Sequence, residues 1–444
     1  MLHLLLLPTL GAAASRVAVV TGATRGIGRG IALELGRQGF TVYALGRSTR
    51  KGAKRADSRP GLEDFDLTVE SAAEAINAAG GKGFGIACDC GSDSAIDKAL
   101  TEVAAQVPGG AIDLLVCSAY TTPPGKLRGD FWTQGPEMWD ACNGVGLRGV
   151  YSTCCRAAPM LISAAERSGG DSQAPPPMIV LVSSFGGKCV ARARAEPSRA
   201  KQSRAEKSRA AHTHLAVFSS DRLPFPAIPL LCFVCLRACV PACLRALRRA
   251  RLGRVCWRSP HPLLFLLSSH ARARRSYTFN VAYGVGKAAI DRLASDMSFQ
   301  LGKRGVATVS LYPGVVKTEG NLAMERRGEW AEASGGLALD QGETPALSGK
   351  AVAALARIGK TEMLDKYSGS VQVVAELAAE LGFAEDDGSL PPSIRSLQYL
   401  APNFIFPQIE KESGKPVPDW MRDNVPDWKL PWSVFGSSPP PEQD

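Results

Sequence analysis

The chain has 444 residues, of which 45% are apolar and 21% charged, a composition typical of a globular protein with one large domain or about two to three smaller ones. Its 52 basic and 42 acidic residues give a net charge of +10, which on its own suggests a nucleic acid or a membrane surface as partner. The excess is local, because residues 188–276 hold 19 basic residues and three acids, and the rest of the chain has a net charge of −6. No nucleic-acid partner is therefore expected.

The pattern of apolar residues predicts strands and helices that alternate along the chain. Compact runs such as RVAVV (16–20) are typical of strands buried on both faces, and GRGIALELGRQG (28–39) has apolar residues at helical spacing and ends at a glycine. The predicted strands are 16–20, 41–46, 83–89, 112–119, 178–184 and 306–314, and the predicted helices are 28–39, 71–81, 93–107, 138–166 and 281–305. This alternation predicts an α/β fold, a doubly wound parallel sheet of the Rossmann type in a single domain.

One large irregular insertion, residues 188–276, interrupts this order between the fifth strand and the fifth helix. SRA recurs there at 198, 203 and 208, a period of five residues that fits neither a helix nor a strand. A structureless loop of this length inside a compact domain argues against native structure, so we expect the segment to be disordered or absent in the working protein. We interpret it as translated non-coding sequence, such as a retained intron. A genuine lid is the alternative, because loop-closure entropy grows only slowly with length.

The domain organisation follows from these features. It comprises an N-terminal extension (1–15), the first part of the Rossmann domain (16–187), the insertion (188–276), the second part with the substrate region (277–400), and a Pro- and Trp-rich tail (401–444), of which 416–444 is expected to lie over the surface as an extended arm. The leader MLHLLLLPTLGAAAS has an apolar run but no basic start, so a targeting peptide and a frayed terminus are equal alternatives. A cytoplasmic location is expected, with endoplasmic reticulum association or organelle targeting left open.

The twelve cysteines divide in the same way as the charge. Six lie within 188–276, where CFVCLRACVPAC contains a C-x-x-C pair. No second pair at zinc-finger spacing follows it in the sequence, so chance enrichment in Cys is favoured over metal binding. The other six are scattered through apolar stretches, which predicts reduced, buried thiols.

The stretch TGATRGIG (21–28) follows the first strand directly and opens the first helix. Gly22 permits a tight turn, and Gly26 and Gly28 let the backbone approach a pyrophosphate, to which the helix N-terminus offers N–H groups and the positive end of its dipole. A glycine trio alone is weak evidence, but at this place in an alternating α/β chain it predicts dinucleotide binding. The residues expected to contact the cofactor here are Gly22, Thr24, Arg25, Gly26, Ile27 and Gly28.

The residues near the adenine ribose decide between NADP(H) and NAD(H). An NAD site usually has an acid near the end of the second strand, whereas ALGRS has Arg47 there and Arg25 lies in the glycine loop. Two guanidinium groups suit a 2′-phosphate through bidentate contacts. NADP(H) is therefore predicted. NAD(H), with two solvated surface arginines, is the alternative.

Tyr283 and Lys287 are four residues apart on a predicted helix and so share one face. Free tyrosine has a pKa near 10, roughly three units above neutral, and a neighbouring ammonium together with the cationic oxidised nicotinamide favours the phenolate. A serine hydroxyl at the tip of the fifth strand could hold a carbonyl group against this phenol. These groups indicate proton exchange with a carbonyl compound or an alcohol.

Four stretches, TGATRGIGRGIALEL, NGVGLRGVY, YGVGKAA and YPGVVKTE, resemble the short-chain dehydrogenase/reductase superfamily. The resemblance covers 16–187 and 277–320 well, and the region to about 400 loosely. It implies that Ser184 polarises the substrate carbonyl, that Tyr283 exchanges the proton, and that Lys287 binds the nicotinamide ribose and lowers the pKa of the tyrosine.

The resemblance also orders the remaining candidates. Ser184 is preferred to Ser183 because the serine of the family precedes a glycine by three residues, here Gly187. Asp89, at the end of the third strand, is expected to contact adenine, and Thr318 the nicotinamide amide.

Two departures from the family pattern stand out. The NNAG that usually follows the fourth strand is CSAY here (117–120), where Ser118 is taken as a cofactor contact next to Tyr120. The position that usually supplies a proton-relay Asn is Gly146, with Asn143 one turn earlier, so the relay is expected to run through water alone.

Together these residues predict an NADP(H)-dependent carbonyl/alcohol oxidoreductase, in which Tyr283 handles the proton while hydride passes between nicotinamide and a carbonyl carbon. The expected partner is a small carbonyl or alcohol substrate, and weak membrane association and homo-oligomerisation are left open. The alternative is a non-catalytic dinucleotide-binding protein with a basic interaction arm. Ser184, Tyr283 and Lys287 favour the enzyme, whereas the insertion and the missing Asn favour the binding protein.

Overall fold

The computed structural model describes residues 15–51, 60–63, 65–121, 130–169, 171–185, 280–334 and 337–431. The strands are β1 Val17–Thr21, β2 Thr41–Gly46, β3 Lys82–Ala87, β4 Leu114–Cys117, β5 Met178–Val182, β6 Ala307–Tyr312 and β7 Val371–Val373. The helices are α1 Gly26–Arg37, α2 Val69–Ala78, α3 Asp93–Gln106, α4 Gly135–Asn143, α5 Val150–Arg167, α6 Val281–Leu301, α7 Glu319–Arg326, α8 Trp330–Ser334, α9 Pro345–Leu355, α10 Lys360–Glu362, α11 Val374–Leu381, α12 Leu397–Leu400, α13 Phe406–Ser413 and α14 Asp419–Asp423. The insertion with its C-x-x-C pair, Gly187 and residues 1–14 lie outside the described residues.

The strands form one parallel sheet in the order β3-β2-β1-β4-β5-β6-β7. The predicted doubly wound α/β fold is confirmed. The order of the strands reverses between β1 and β4, and in such sheets ligands bind at the carboxyl ends of the strands beside this point. The glycine loop starts there, directly after β1.

Both faces of the sheet are covered, as the continuous apolar strands predict. Alternate residues of β1 point to opposite sides, so that Ala18 and Val20 join one buried cluster and Val17 and Val19 the other. The first cluster includes apolar residues of α1 and α9, and the second includes residues of α3, α5 and α6. Because both faces of these parallel strands are buried, side chains that bind a ligand can be reached only at the ends of the strands.

Glycines bring α1 and α9 into direct backbone contact. A Cβ on Gly30 would lie 2.3 Å from the carbonyl oxygen of Pro345, and one on Gly349 would lie 2.7 Å from that of Gly30. No larger side chain fits at either position without a backbone shift. The C-terminal half of the chain therefore fixes the helix that the glycine loop opens.

The long helix predicted over 138–166 is interrupted by a π-helical turn. It consists of α4, the turn Gly144–Gly149, and α5. A Cβ on Gly149 would lie 2.0 Å from the carbonyl oxygen of Cys90, so this turn packs directly against the loop after β3. Single π-helical turns of this kind are frequent at functional sites.

The expectation of an extended arm over 416–444 is wrong at Asp419–Asp423, which form α14. Residues 401–405 form a π-helical turn, and α13 and α14 follow. Pro402 and Pro407 lie in the first turns of helical segments, where the missing N–H costs no hydrogen bond. The chain becomes extended only after Asn424, where Lys429 pairs with Ser396 in an antiparallel bridge.

The described cysteines are free thiols. Cys88, Cys90, Cys117, Cys142 and Cys154 are buried, as predicted. Cys155 is exposed, because the next position around α5 points away from the sheet. Of the described helices, none combines the length and the apolar character that crossing a membrane requires.

Candidate active site

The glycine loop between β1 and α1 is folded tightly against the end of β4. Gly22 has φ +69°, and a Cβ there would lie 2.7 Å from the Cα of Ala119. A Cβ on Gly28 would lie 2.3 Å from the carbonyl oxygen of Gly22. Thr24 is buried within the loop. A Cβ on Gly46 would lie 2.5 Å from the methyl carbon of Thr24. The predicted loop is therefore a tight turn that only glycine can form at several positions.

The N-terminus of α1 lacks a capping bond from its own N-cap residue. Side chains cap α2, α3, α6, α7 and α9 by accepting from helix N–H groups; they are Thr68, Ser92, Asn280, Thr318 and Thr344. The corresponding residue of α1, Arg25, makes no capping bond, and the first turn contains no acid. Its N–H groups and dipole suit a pyrophosphate, so the residues present fit a dinucleotide.

A carboxylate that the sequence analysis missed already contacts this end of α1. Glu319, the first residue of α7, accepts a hydrogen bond from the N–H of Gly26 at 2.8 Å. The methyl carbon of Thr318 would lie 3.4 Å from a Cβ on Gly26. The loop after β6, which carries the predicted nicotinamide contact, therefore touches the glycine loop directly.

Arg47 and Asp89 lie at the carboxyl ends of neighbouring strands. Arg47 follows β2 and is exposed, and it forms no hydrogen bond or ion pair with any residue that the structure describes. Arg50, three residues later, is instead paired with Asp66 and Glu74. Asp89 is exposed after β3, and its Oδ1 accepts from the N–H of Gly91 at 2.9 Å. Arg47 therefore differs from Arg50, because no described carboxylate neutralises its charge.

Ser184, Tyr283 and Lys287 come together at the carboxyl end of β5. The hydroxyl of Tyr283 donates to Oγ of Ser184 at 2.7 Å. The Nζ of Lys287 lies 5.7 Å from the centroid of the Tyr283 ring and donates to the carbonyl oxygen of Val182 at 3.0 Å. Ser183 faces the other way, since its Oγ donates to the carbonyl oxygen of Lys287 at 3.2 Å. The preference for Ser184 agrees with this geometry.

Two asparagines hold the start of α6 in place. Asn280 accepts from the N–H of Tyr283 at 3.1 Å, which caps the helix one turn before Lys287. Asn143, buried at the end of α4, donates from Nδ2 to the carbonyl oxygen of Ala282 at 3.1 Å. Its Oδ1 would lie 2.1 Å from a Cβ on Gly286, so glycine is required there. The Asn143 amide is therefore committed to the backbone of α6.

The pKa of Tyr283 moves in the opposite direction from the one expected. Burial is the largest cause and raises the pKa, while the hydrogen bond with Ser184 lowers it. The expected lowering by Lys287 is not found in this structure, because its ammonium faces the Val182 carbonyl and not the phenol oxygen. Burial lowers the pKa of Lys287 itself to about 8, opposed by the charge of Asp291.

The two departures from the family pattern are in contact with each other. A Cβ on Gly146 would lie 2.6 Å from Cδ2 of Tyr120. The Tyr120 ring also meets the Tyr283 ring edge-on, with centroids 5.7 Å apart and an interplanar angle of 89°. The Nζ of Lys287 lies 4.9 Å from its centroid. The sequence analysis noted both departures but not that they share one space.

Ser118 lies between the glycine loop and Tyr120. Its N–H donates to Oγ1 of Thr21 at 3.2 Å, and its Cβ would lie 3.3 Å from a Cβ on Gly28. The candidate residues therefore come from the ends of β1, β2, β3, β4, β5 and β6, with Tyr283 and Lys287 from the first turns of α6. This is the edge of the sheet at which doubly wound folds bind nucleotides.

The chain is similar to several known proteins. The short-chain dehydrogenase family model matches residues 16–196. Dehydrogenase/reductase SDR family member 1 of Mus musculus is 27% identical over 391 residues, covering 86% of this chain and 87% of the mouse protein. The protein of the same name from Homo sapiens is 28% identical over 382 residues, covering 84% of each chain. A solved structure, 3-oxoacyl-[acyl-carrier protein] reductase from Brucella melitensis in complex with NAD, matches with a TM-score of 0.49 and 17% identity over 82% of this chain and 96% of that chain.

The family match begins at β1 and includes the glycine loop and β5, and the two mammalian relatives extend the similarity over most of the chain. Over most of its length the chain is therefore similar to short-chain dehydrogenases/reductases, a family of oxidoreductases with an NAD(P)-binding Rossmann fold.

Proposed function

We propose that the protein is an NADP(H)-dependent carbonyl/alcohol oxidoreductase in which Tyr283 is the general acid and base. The observation that carries this proposal is the 2.7 Å hydrogen bond between the hydroxyls of Tyr283 and Ser184 at the carboxyl end of β5. When bound, the nicotinamide supplies the hydride that the carbonyl carbon accepts. Tyr283 then gives its proton to the carbonyl oxygen, and an alcohol results. A small carbonyl or alcohol compound is the substrate class.

The protonation state of Tyr283 favours the direction of carbonyl reduction. Because burial raises its pKa, the phenol holds its proton at neutral pH, the form that a general acid requires. The Ser184 hydroxyl lies within hydrogen-bond distance of the same phenol, so both can donate to one carbonyl oxygen between them. Lys287 would hold the nicotinamide ribose and so place the hydride donor against the carbonyl carbon.

The cofactor contacts of the proposal come from the loops already described. The glycine loop and the N-terminus of α1 would hold the pyrophosphate, and Arg47, with Arg25, the 2′-phosphate. Asp89, Ser118 and Thr318 would hold the rest of the cofactor.

Turnover of the full chain tests the proposal against its rival. Purified protein is mixed with NADPH and a generic dicarbonyl, and consumption of NADPH is compared with formation of the alcohol. We expect one alcohol for each NADPH consumed. Tight binding of NADPH without reduction across a broad carbonyl panel would establish the rival instead, a non-catalytic dinucleotide-binding protein.

Replacement of Arg47 by Ala is expected to reduce the preference for NADPH over NADH. The guanidinium is exposed and has no carboxylate partner among the described residues, so a 2′-phosphate is the anion that it can pair with. Losing a hydrogen bond to a charged group lowers affinity roughly tenfold. We expect this loss for NADPH and almost none for NADH, as measured by fluorescence titration.

Arg50→Ala is the matched control for this experiment. It removes the same group three residues away, where Asp66 and Glu74 already neutralise the charge. We expect unchanged affinities for both cofactors. Equal affinities of the parent for NADPH and NADH, or an Arg47 variant that keeps the preference, would contradict the assignment.

Replacement of Ser184 by Ala is expected to slow carbonyl reduction by about 10- to 100-fold, with little change in the affinity for NADPH. The change removes the hydroxyl that orients a carbonyl against Tyr283 and donates to its oxygen. Ser183→Ala is the comparison, because that hydroxyl donates to the backbone carbonyl of Lys287 and not to Tyr283. A larger loss of kcat in the Ser183 variant would show that Ser183, and not Ser184, contacts the substrate carbonyl.

A further inference from the structure

Tyr120 is not among the three groups assigned to the chemistry, yet its ring contacts two of them. The Nζ of Lys287 lies 4.9 Å from the ring centroid, within the range of a cation–π interaction. The ring of Tyr283 meets it edge-on with centroids 5.7 Å apart. Tyr120 therefore lies against both the general acid and its ammonium neighbour.

The ring, and not the hydroxyl, makes these contacts. The Tyr120 hydroxyl oxygen is buried and has no hydrogen-bond partner among the described residues, with the thiol of Cys142 as a polar neighbour. A buried hydroxyl without a partner costs stability. Phenylalanine would supply the same ring face without this cost, so the hydroxyl is not what fixes the ring here.

Gly146 provides the space that the ring occupies. A Cβ at this position would lie 2.6 and 2.7 Å from Cδ2 and Cε2 of Tyr120, too close for any side chain unless the ring moves. The ring cannot move toward α6 without meeting Tyr283 and Lys287. Tyr120 and Gly146 thus act as a pair, in which the absence of a side chain on the π-helical turn permits the ring.

We propose that Tyr120 is a positioning residue that holds the Lys287 ammonium over its ring face. The Val182 carbonyl accepts one hydrogen bond from Nζ, and the negative face of the ring covers the ammonium from the side of β4. This inference rests on the proposed function, because the proposed function is what assigns Lys287 a role next to the cofactor and Tyr283. Tyr120 acts on the reaction only through Lys287.

The first test measures Lys287 without any cofactor. Competitive labelling of lysine amines with acetic anhydride, followed by mass spectrometry, reports how reactive Lys287 is in the full chain. Tyr120→Leu removes the ring face, so the ammonium loses support and becomes more accessible, and we expect at least a severalfold increase in labelling. Tyr120→Phe should keep the parent's labelling. Unchanged labelling in the leucine variant, or an equal increase in the phenylalanine variant, would overturn the proposal.

Two controls separate positioning from general loosening of the fold. Tyr151→Leu makes the same change on the exposed face of α5 and should leave Lys287 labelling as it is in the parent. Gly146→Ala should displace the ring and raise the labelling as Tyr120→Leu does. Gly144→Ala, in the same π-helical turn, introduces a Cβ that meets nothing within 4 Å and should not raise it. Equal effects of the two alanine variants would contradict the role of the Gly146 space.

A double-mutant cycle on NADPH affinity then tests the route of the effect. Tyr120→Leu should weaken binding by about 3- to 30-fold in the parent, the range of one cation–π interaction, and should add almost nothing in a Lys287→Met background. Equal weakening in both backgrounds would show that Tyr120 acts independently of Lys287 and would overturn the proposal. If Lys287→Met itself left NADPH affinity unchanged, the role of Lys287 in the proposed function would fail, while the labelling experiment would still decide the position of its ammonium.

Discussion

Tyr283→Phe is expected to lower kcat for carbonyl reduction by roughly 10²- to 10⁴-fold, the range for loss of a general acid, while the affinity for NADPH stays within about twofold. The phenylalanine ring keeps the edge-on contact with Tyr120 and the place of residue 283 in the capped first turn of α6. It cannot donate a proton to the oxygen of the carbonyl. The variant therefore separates binding from chemistry at a single oxygen atom.

The pH dependence of the parent should follow from the raised pKa of Tyr283. Burial keeps the phenol protonated, so carbonyl reduction should not lose its acid as the pH rises through neutrality and should decline only toward the alkaline end. The residual rate of the phenylalanine variant should lack the part of this decline that follows the phenol and keep the part that follows the loss of the Lys287 charge above about pH 8. The measurement is kcat for carbonyl reduction at saturating NADPH over a series of pH values.

Tyr151→Phe is the matched control, because it removes the same hydroxyl from an exposed tyrosine of α5. It should reduce carbonyl compounds at the parent rate. A Tyr283→Phe variant that also reached the parent rate would show that another group supplies the proton. A variant that lost NADPH affinity as well as turnover would indicate a disturbed fold at the start of α6 and not the loss of an acid.

Most of the sheet was predictable because its strands are buried on both faces. β1, β4 and β5 are continuous apolar runs flanked by turns, a pattern that needs no knowledge of the partners. β7 was missed because Val371–Val373 has only three residues, two of them partly exposed. Asp419–Asp423 were mistaken for part of an extended arm because the prolines around them indicate a break, although a helix can begin directly after a proline, here Pro418.

The site was predictable only where residues close in sequence determine it. The spacing of Tyr283 and Lys287 places both on one helix face, and the glycine spacing defines the loop after β1. The contact of Glu319 with Gly26 joins residues 293 positions apart, and tertiary packing alone decides it. The direction of Nζ could not be predicted either, because the long stem of a lysine reaches several partners from one Cα.

Lys287→Met is expected to lower both the affinity for NADPH, by about tenfold, and the rate of carbonyl reduction, by roughly 10²-fold or more. One ammonium serves two purposes in the proposal, because holding the nicotinamide ribose contributes to binding and also places the hydride donor against the carbonyl carbon. Methionine keeps the length and much of the volume of the buried stem. The expected result is thus a loss in binding as well as in chemistry, which distinguishes this variant from Tyr283→Phe.

The same substitution should not weaken the fold, and this is the sharper part of the prediction. Burial lowers the pKa of Lys287 from 10.5 to about 8, so at neutral pH the folded protein holds an ammonium that costs on the order of 3 kcal/mol. Methionine removes this cost but leaves the Val182 carbonyl without its donor, which offsets part of the gain. At pH 7 we expect a thermal midpoint equal to or above that of the parent.

The difference in stability should also change with pH in a defined direction. Between pH 8 and pH 10.5 the unfolded chain still binds the proton of Lys287 while the folded protein has released it, so this side chain makes the free energy of unfolding rise with pH across that window. The methionine variant lacks the rise, and its advantage over the parent should shrink between pH 8 and pH 10. Lys303→Met, which removes an exposed ammonium just beyond the far end of α6, should follow the parent in activity and in stability at each pH. A Lys287→Met protein that melts several degrees below the parent at pH 7 would show that the lysine is needed for folding, and its loss of activity would then say nothing about the proton.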